Sequence, residues 1–210
     1  MTGGSAPAAL GPIAALAALG LLALGVRYSG HTHPATVDVW IQPLLVDVRP
    51  PWAYAAEALD FLGEPDGAVL SIVTVVTACL LLRQPRAAVL AVVGAALSVG
   101  ATKLLKSLVG RTINGDNLSF PSGHTAFLTA LALVVALLAG GRLGLGRTAG
   151  TMLVLATTLV AGAAMGWAQV VTRAHYPTDT VGGLCTALVV VPVTAWLIDR
   201  TADGFLGRPG

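Results

Sequence analysis

The sequence predicts an all-α polytopic membrane protein, a bundle of six transmembrane helices with an extracytoplasmic amphipathic segment between the first and second spans. Three observations predict it. Hydrophobic residues make up 55% of the 210 and charged residues only 10%, where soluble domains carry roughly 25% charge. Six long apolar runs recur along the chain, each ended by glycine or charge. One mixed segment, His31 to Asp66, is too polar to cross a bilayer. A mean hydropathy of +0.81 excludes an ordinary soluble enzyme. A net charge of +2 with no basic cluster gives no reason to expect a nucleic-acid partner.

The first run, Ala8 to Val26, is uncharged and stops at Arg27; it has the length of a span, about 20 residues. A cleaved signal sequence is the weaker reading, because no Lys or Arg precedes the run and it exceeds a usual apolar core of roughly 7–15 residues. The segment His31–Asp66 follows, with prolines at 34, 43, 50, 51 and 65 and the aromatics Trp40, Trp52 and Tyr54. Aromatic rings beside charge and proline suit the headgroup level, with a short amphipathic helix over Ala53 to Leu62. Such a segment roofs whatever lies beneath it. The further spans are Ala68–Leu82, Ala87–Val109, Thr125–Ala139, Thr148–Val171 and Val181–Ile198. No internal repeat divides the chain, so residues 1–210 read as one domain. Cys79 and Cys185 both fall in apolar runs and read as buried thiols rather than a disulfide pair.

Loop charge gives a sidedness. With the N-terminus inside, the inner loops and tail carry Arg83, Arg86, Arg142, Arg147, Arg200 and Arg208, and the outer side carries Arg27, Arg49, Lys103, Lys106, Arg111 and Arg173. Assigning Lys106, Arg111 and Arg173 to a site leaves the basic excess inside. The loops around 110–120 and 172–178 then face outward.

The chemistry lies in those loops. In Ser119-Phe120-Pro121-Ser122-Gly123-His124-Thr125, Ser119 reads as an N-cap and Pro121 as the first residue of the fourth membrane helix. Free amides and the positive end of the helix dipole form an anion site there. Gly123 lets a phosphate approach the backbone, Ser122 adds a hydroxyl donor, and the imidazole of His124 can protonate a leaving oxygen near neutral pH. In the second loop, Arg173-Ala174-His175-Tyr176-Pro177-Thr178-Asp179, a helix opening near Pro177 lets Asp179 reach back to one ring nitrogen of His175, whose other nitrogen is then a nucleophile. Capping of the helix by Asp179 is compatible with that role. Lys103, Lys106, Arg111 and Arg173 flank the two histidines, and charges at such depth call for an anionic partner. His31 and His33 lack a third ligand and read as a solvated loop rather than a metal site.

Lys106 to Arg111, Pro121-Ser122-Gly123-His124 and His175-Tyr176-Pro177-Thr178-Asp179 together resemble the type 2 phosphatidic acid phosphatase superfamily, membrane lipid phosphatases related to vanadium haloperoxidases. The resemblance runs over about residues 70–198. It implies a six-span bundle with no cofactor or metal requirement, a phosphohistidine on His175, acid catalysis by His124 and orientation of His175 by Asp179. It also implies Lys106, Ser122 and Gly123 as phosphate ligands. Two positions depart from the family pattern: Ile113 and Asn114 stand where Arg-Pro is usual, and Gln169 stands where an arginine is usual. Arg111 is the expected stand-in for the first. Arg173, one turn after Gln169, is the stand-in for the second if the helix continues that far.

These observations predict an integral membrane phosphatase of the cell membrane, with its site on the extracytoplasmic side. Its substrates would be polyprenyl (di)phosphates, phosphatidic acid or phosphatidylglycerol phosphate. A lipid-linked phosphotransferase and a non-catalytic lipid-phosphate binder or transport component are the alternatives. Oligomeric state is not fixed by the sequence.

Overall fold

The computed structural model describes residues 6–206, with side chains from Leu10 to Asp203. Eight helices follow in order: α1 (Ala6–Arg27), α2 (Thr36–Val46), α3 (Trp52–Phe61), α4 (Pro65–Leu81), α5 (Pro85–Val109), α6 (Gly123–Arg142), α7 (Arg147–Val171) and α8 (Pro177–Leu206). Between α5 and α6 a minimal antiparallel hairpin pairs β1 (Thr112–Ile113) with β2 (Asn117–Leu118).

The chain is a polytopic helical membrane protein. Five helices, α1, α5, α6, α7 and α8, are each long and apolar enough to cross a bilayer. The helix at the expected second span, α4, has 17 residues, about 25 Å at 1.5 Å per residue against a hydrocarbon core of about 30 Å. It qualifies as a span only together with α3, from which it is bent by 74°. Proline at the first position of α4 starts the helix three residues before the apolar run, where its missing N–H costs nothing.

The buried centre is α6. It packs against α5, α7 and α8, burying Phe127, Ala130, Leu131, Leu133 and Val134 against Leu90, Ala91 and Ala95 of α5 and Ala187, Leu188 and Val191 of α8. Small residues on the facing helices allow this close approach. Helix α1 packs on α8 and leaves Leu16, Leu19, Leu22 and Val26 more than 60% exposed, a face suited to lipid tails. Cys79 is buried in α4 and Cys185 half-buried in α8, and both are free.

The mixed segment is more ordered than its prolines suggest. Its helix α3 agrees with the expected amphipathic helix to within a residue at each end, but α2 was expected as loop. Asp38, the third residue of α2, accepts a hydrogen bond from the Ala35 N–H at 3.1 Å, the reach-back half of a capping box. Both helices pack on α7, and α2 also on α8, leaving Trp40, Leu44, Trp52 and Tyr54 exposed. At the other end of the bundle Arg86 pairs with Asp199 at 3.5 Å and Asp203 at 3.0 Å, joining α5 to α8. Arg208 lies outside the described residues.

Candidate active site

The C-termini of α1, α5 and α7 and the N-termini of α6 and α8 meet at one end of the bundle. Backbone bonds stitch them: Gly30 N–H to the Val109 carbonyl at 2.8 Å, Thr112 N–H to His31 at 3.0 Å and Ser122 N–H to Asp179 at 2.9 Å. The last of these fixes the start of α6 on the first turn of α8, and so ties the two histidine motifs together.

Arg111 is buried at this junction. Gly110 ends α5 in a left-handed conformation, φ +65°, with its N–H on the Lys106 carbonyl at 2.9 Å, as a helix-terminating glycine does. The chain therefore turns inward and Arg111 becomes fully buried. Its guanidinium donates to Asp38 at 2.6 Å, Asp179 at 2.6 Å and the Thr178 hydroxyl at 2.7 Å. It lies 4.3 Å from the Tyr28 ring centre and 4.6 Å from that of Tyr176, close enough for cation–π attraction. Both terminal nitrogens are committed to carboxylates, so Arg111 is a scaffold residue rather than the expected phosphate ligand. Asp38 completes the cluster, accepting from the Thr178 N–H and hydroxyl at 3.0 Å each and so capping α8 from a different helix.

Both carboxylate oxygens of Asp179 are thereby held. One carboxylate oxygen takes the Arg111 bond and the other accepts the Tyr176 N–H at 3.0 Å. That second oxygen also stands 3.7 Å from Nδ1 of His175, which has no hydrogen-bond partner. The helix opens at Pro177, as expected, and Asp179 both caps it and faces the imidazole. Burial lowers the His175 pKa below its ordinary value near 6.5; Asp179 opposes this, while the charges of Lys106 and His124 lower it further. Burial thus favours the neutral form of His175, and its Nδ1 is turned to the carboxylate.

At the start of α6 the cap is Ser122, not Ser119. The Ser122 hydroxyl oxygen accepts from the Thr125 N–H at 3.3 Å and the Thr125 hydroxyl at 3.1 Å. Pro121 lies outside the helix, and Ser119 instead donates its N–H to the Arg111 carbonyl at 2.8 Å. The correction sharpens the site, since the first-turn amides of Gly123 and His124 are now those without an intrahelical acceptor, and the Ser122 hydroxyl retains its own proton. Lys106, in the last turn of α5, is half-buried and donates to the Leu118 carbonyl at 2.9 Å.

His124 lies under the corner between α3 and α4. Its Nε2 is 3.5 Å from Glu64 and 3.8 Å from Asp60. Gln169 is buried and gives its amide N–H to Asp60. Arg173 does not take the place of a cation at position 169. Helix α7 ends at Val171, and Arg173 follows in a left-handed conformation, φ +59°, exposed to solvent. Its carbonyl is held by Asn114 at 2.9 Å, so the side chain does not share a helical face with Gln169. Lys103 is also exposed. The structure thus brings together Lys106, Ser122, Gly123, His124, His175 and Asp179, adds Arg111 as their support, and leaves Arg173 outside.

Asp38, Thr178, Asp60, Glu64 and Gln169 were not anticipated in these roles. Asp38 carried the clearest signal, as the one charged residue in the apolar stretch 36–46.

Fold and site together define a polytopic helical membrane protein in which two histidine motifs meet at helix termini. Residues 105–202, which hold every motif residue of the site, match the model of the PAP2 superfamily. The fold is that of a PAP2-type membrane protein: a crystal structure described as the first transmembrane PAP2-type phosphatidylglycerolphosphate phosphatase from Bacillus subtilis superposes with a TM-score of 0.68 at 20% identity, covering 91% of this chain and 96% of that one. No curated protein matches the sequence.

Proposed function

We propose that the chain is a membrane lipid phosphatase acting through a phosphohistidine. Lys106, the Ser122 hydroxyl and the first-turn amides of Gly123 and His124 hold the phosphoryl oxygens. Nε2 of His175 attacks phosphorus while Asp179 takes the developing charge at Nδ1. His124 gives its proton to the departing oxygen, then draws one from the water that cleaves the phosphohistidine. Positioning and charge neutralisation supply most of the rate, as phosphoryl transfer requires. The observation that carries the reading is the carboxylate of Asp179, fixed by Arg111 and the Tyr176 amide and facing Nδ1 of His175.

No metal takes part in this scheme. A cation held by Asp60, Glu64 and His124, whose ligand atoms lie within 4.8 Å of one another, would occupy the nitrogen of the proposed acid. Activity is therefore expected to survive EDTA. Vanadate should inhibit by bonding to His175 as a pentacoordinate mimic. The site is proposed to face the extracytoplasmic side, on the loop-charge pattern.

The direct test is phosphate release from lipid phosphates by protein purified in detergent, compared with His175→Ala. Release by the intact protein and its loss in the variant are expected; equal release from both contradicts the proposal.

A further inference from the structure

The leaving-group side of the site is anionic, and nothing in the scheme above uses that charge. The α3–α4 corner lies flush on His124: a Cβ at Gly63 would overlap the imidazole ring, so only glycine allows the approach. This corner sets Glu64 and Asp60 at 3.5 and 3.8 Å from Nε2 of His124. Gln169, where an arginine was expected, contributes a neutral amide to Asp60. Among the described residues neither carboxylate pairs with a lysine or arginine. The proton donor is thus flanked by two carboxylates with no other cation beside them.

We infer that Asp60 and Glu64 are specificity residues that favour phosphate monoesters of lipid alcohols over lipid diphosphates. The inference rests on the proposed function, in which the group leaving phosphorus departs toward His124. With a monoester, the His175 Nε2–P bond forms, the P–O bond to the alcohol breaks, the proton of His124 passes to that oxygen, and a neutral alcohol departs. With a diphosphate, the same displacement at the terminal phosphorus breaks the bridging P–O bond. The departing group is then a lipid monophosphate that keeps negative charge after taking the proton. That charge develops in the field of both carboxylates, at distances where like charges repel strongly in a partly buried setting. The discrimination is thus expected in kcat as well as KM, because the repulsion grows toward the transition state. A leaving alcohol meets no such penalty.

The experiment uses farnesyl phosphate and farnesyl diphosphate, which share one tail, with full-length protein in detergent and EDTA. The wild type is expected to show kcat/KM at least ~10-fold higher for the monophosphate, a conservative allowance for solvent screening at this separation. Glu64→Gln and Asp60→Asn should each narrow the ratio, and the double variant should narrow it further. Glu64 is 55% exposed and its side chain makes no capping bond, so E64Q tests the idea without endangering the fold. Equal or faster turnover of the diphosphate by wild type overturns the inference, as does a ratio unmoved in both single variants. His175→Ala on farnesyl phosphate separates the two levels. Turnover that survives it refutes the phosphohistidine reading, whereas His175-dependent turnover with a flat ratio refutes only the selectivity. Failure on both substrates overturns both.

Discussion

The two histidines of the site stand in opposite surroundings. His175 is almost fully enclosed, and its carboxylate is anchored by Arg111, itself buried between two tyrosines and two acids. His124 keeps 27% of its side chain exposed, and of the two acids near it, from the α3–α4 corner, Asp60 accepts a bond from Gln169 and Glu64 is 55% exposed. A nucleophile needs one ring nitrogen aimed and unprotonated, which enclosure and a fixed carboxylate provide. For an acid that gives and retrieves a proton, the proposed scheme needs a nitrogen free to meet the departing group; Nε2 of His124 is buried and has no hydrogen-bond partner, with the carboxylates of Glu64 and Asp60 beside it. The contrast is what the proposed division of roles between the two histidines rests on.

Substitutions break the contrast at different depths. His175→Ala should reduce phosphate release to background, since no neighbouring group can replace the attacking nitrogen. His124→Asn should cost about 10²–10⁴-fold in kcat, the usual worth of a positioned acid–base group, with the smaller loss for substrates whose leaving group needs no proton. Arg111→Ala strands Asp38 and Asp179 as buried charges, a cost of roughly 3–5 kcal/mol, read as a fall in thermal stability of the detergent-solubilised protein. Arg111→Lys keeps the charge but not the fork that spans both carboxylates, and should lose activity before it loses fold.

Proton affinity sharpens the same contrast. The proposed scheme needs neutral His175, whose pKa is lowered by burial; activity should therefore persist below pH 6.5 and fall as pH drops through the lowered value. The charge of Lys106 contributes to that lowering. Lys106→Met should move the acid limb of the kcat/KM profile to higher pH while weakening substrate capture. The smallest effect belongs to Arg173→Ala, expected within about 2-fold of wild type because the exposed side chain lies outside the site, as for most surface substitutions.

Much of this was written locally in the chain. Apolar runs marked each of the five helices long and apolar enough to cross a bilayer, and the two histidine motifs declared themselves through helix-start chemistry and the four-residue step from His175 to Asp179. What local reading missed depends on approach between distant segments. Asp38 reaches Thr178 across 140 positions, and α2 becomes a helix in the company of α7 and α8. The directions of Arg111 and Arg173 were equally hidden. Both arginines sit beside a motif, but a left-handed Gly110 sends one into the core, and the end of α7 at Val171 sends the other to the surface. The cap fell one helical turn late for a similar reason: Ser119 and Ser122 are both good caps, and only the bonds from Thr125 decide between them.

The stereochemical course at phosphorus tests the central claim most directly. A lipid phosphorothioate made chiral with ¹⁶O and ¹⁸O and hydrolysed in H₂¹⁷O should give thiophosphate with net retention, because attack by His175 and then by water inverts twice. Net inversion would mean a single direct displacement by water, and His175 could not then be the nucleophile.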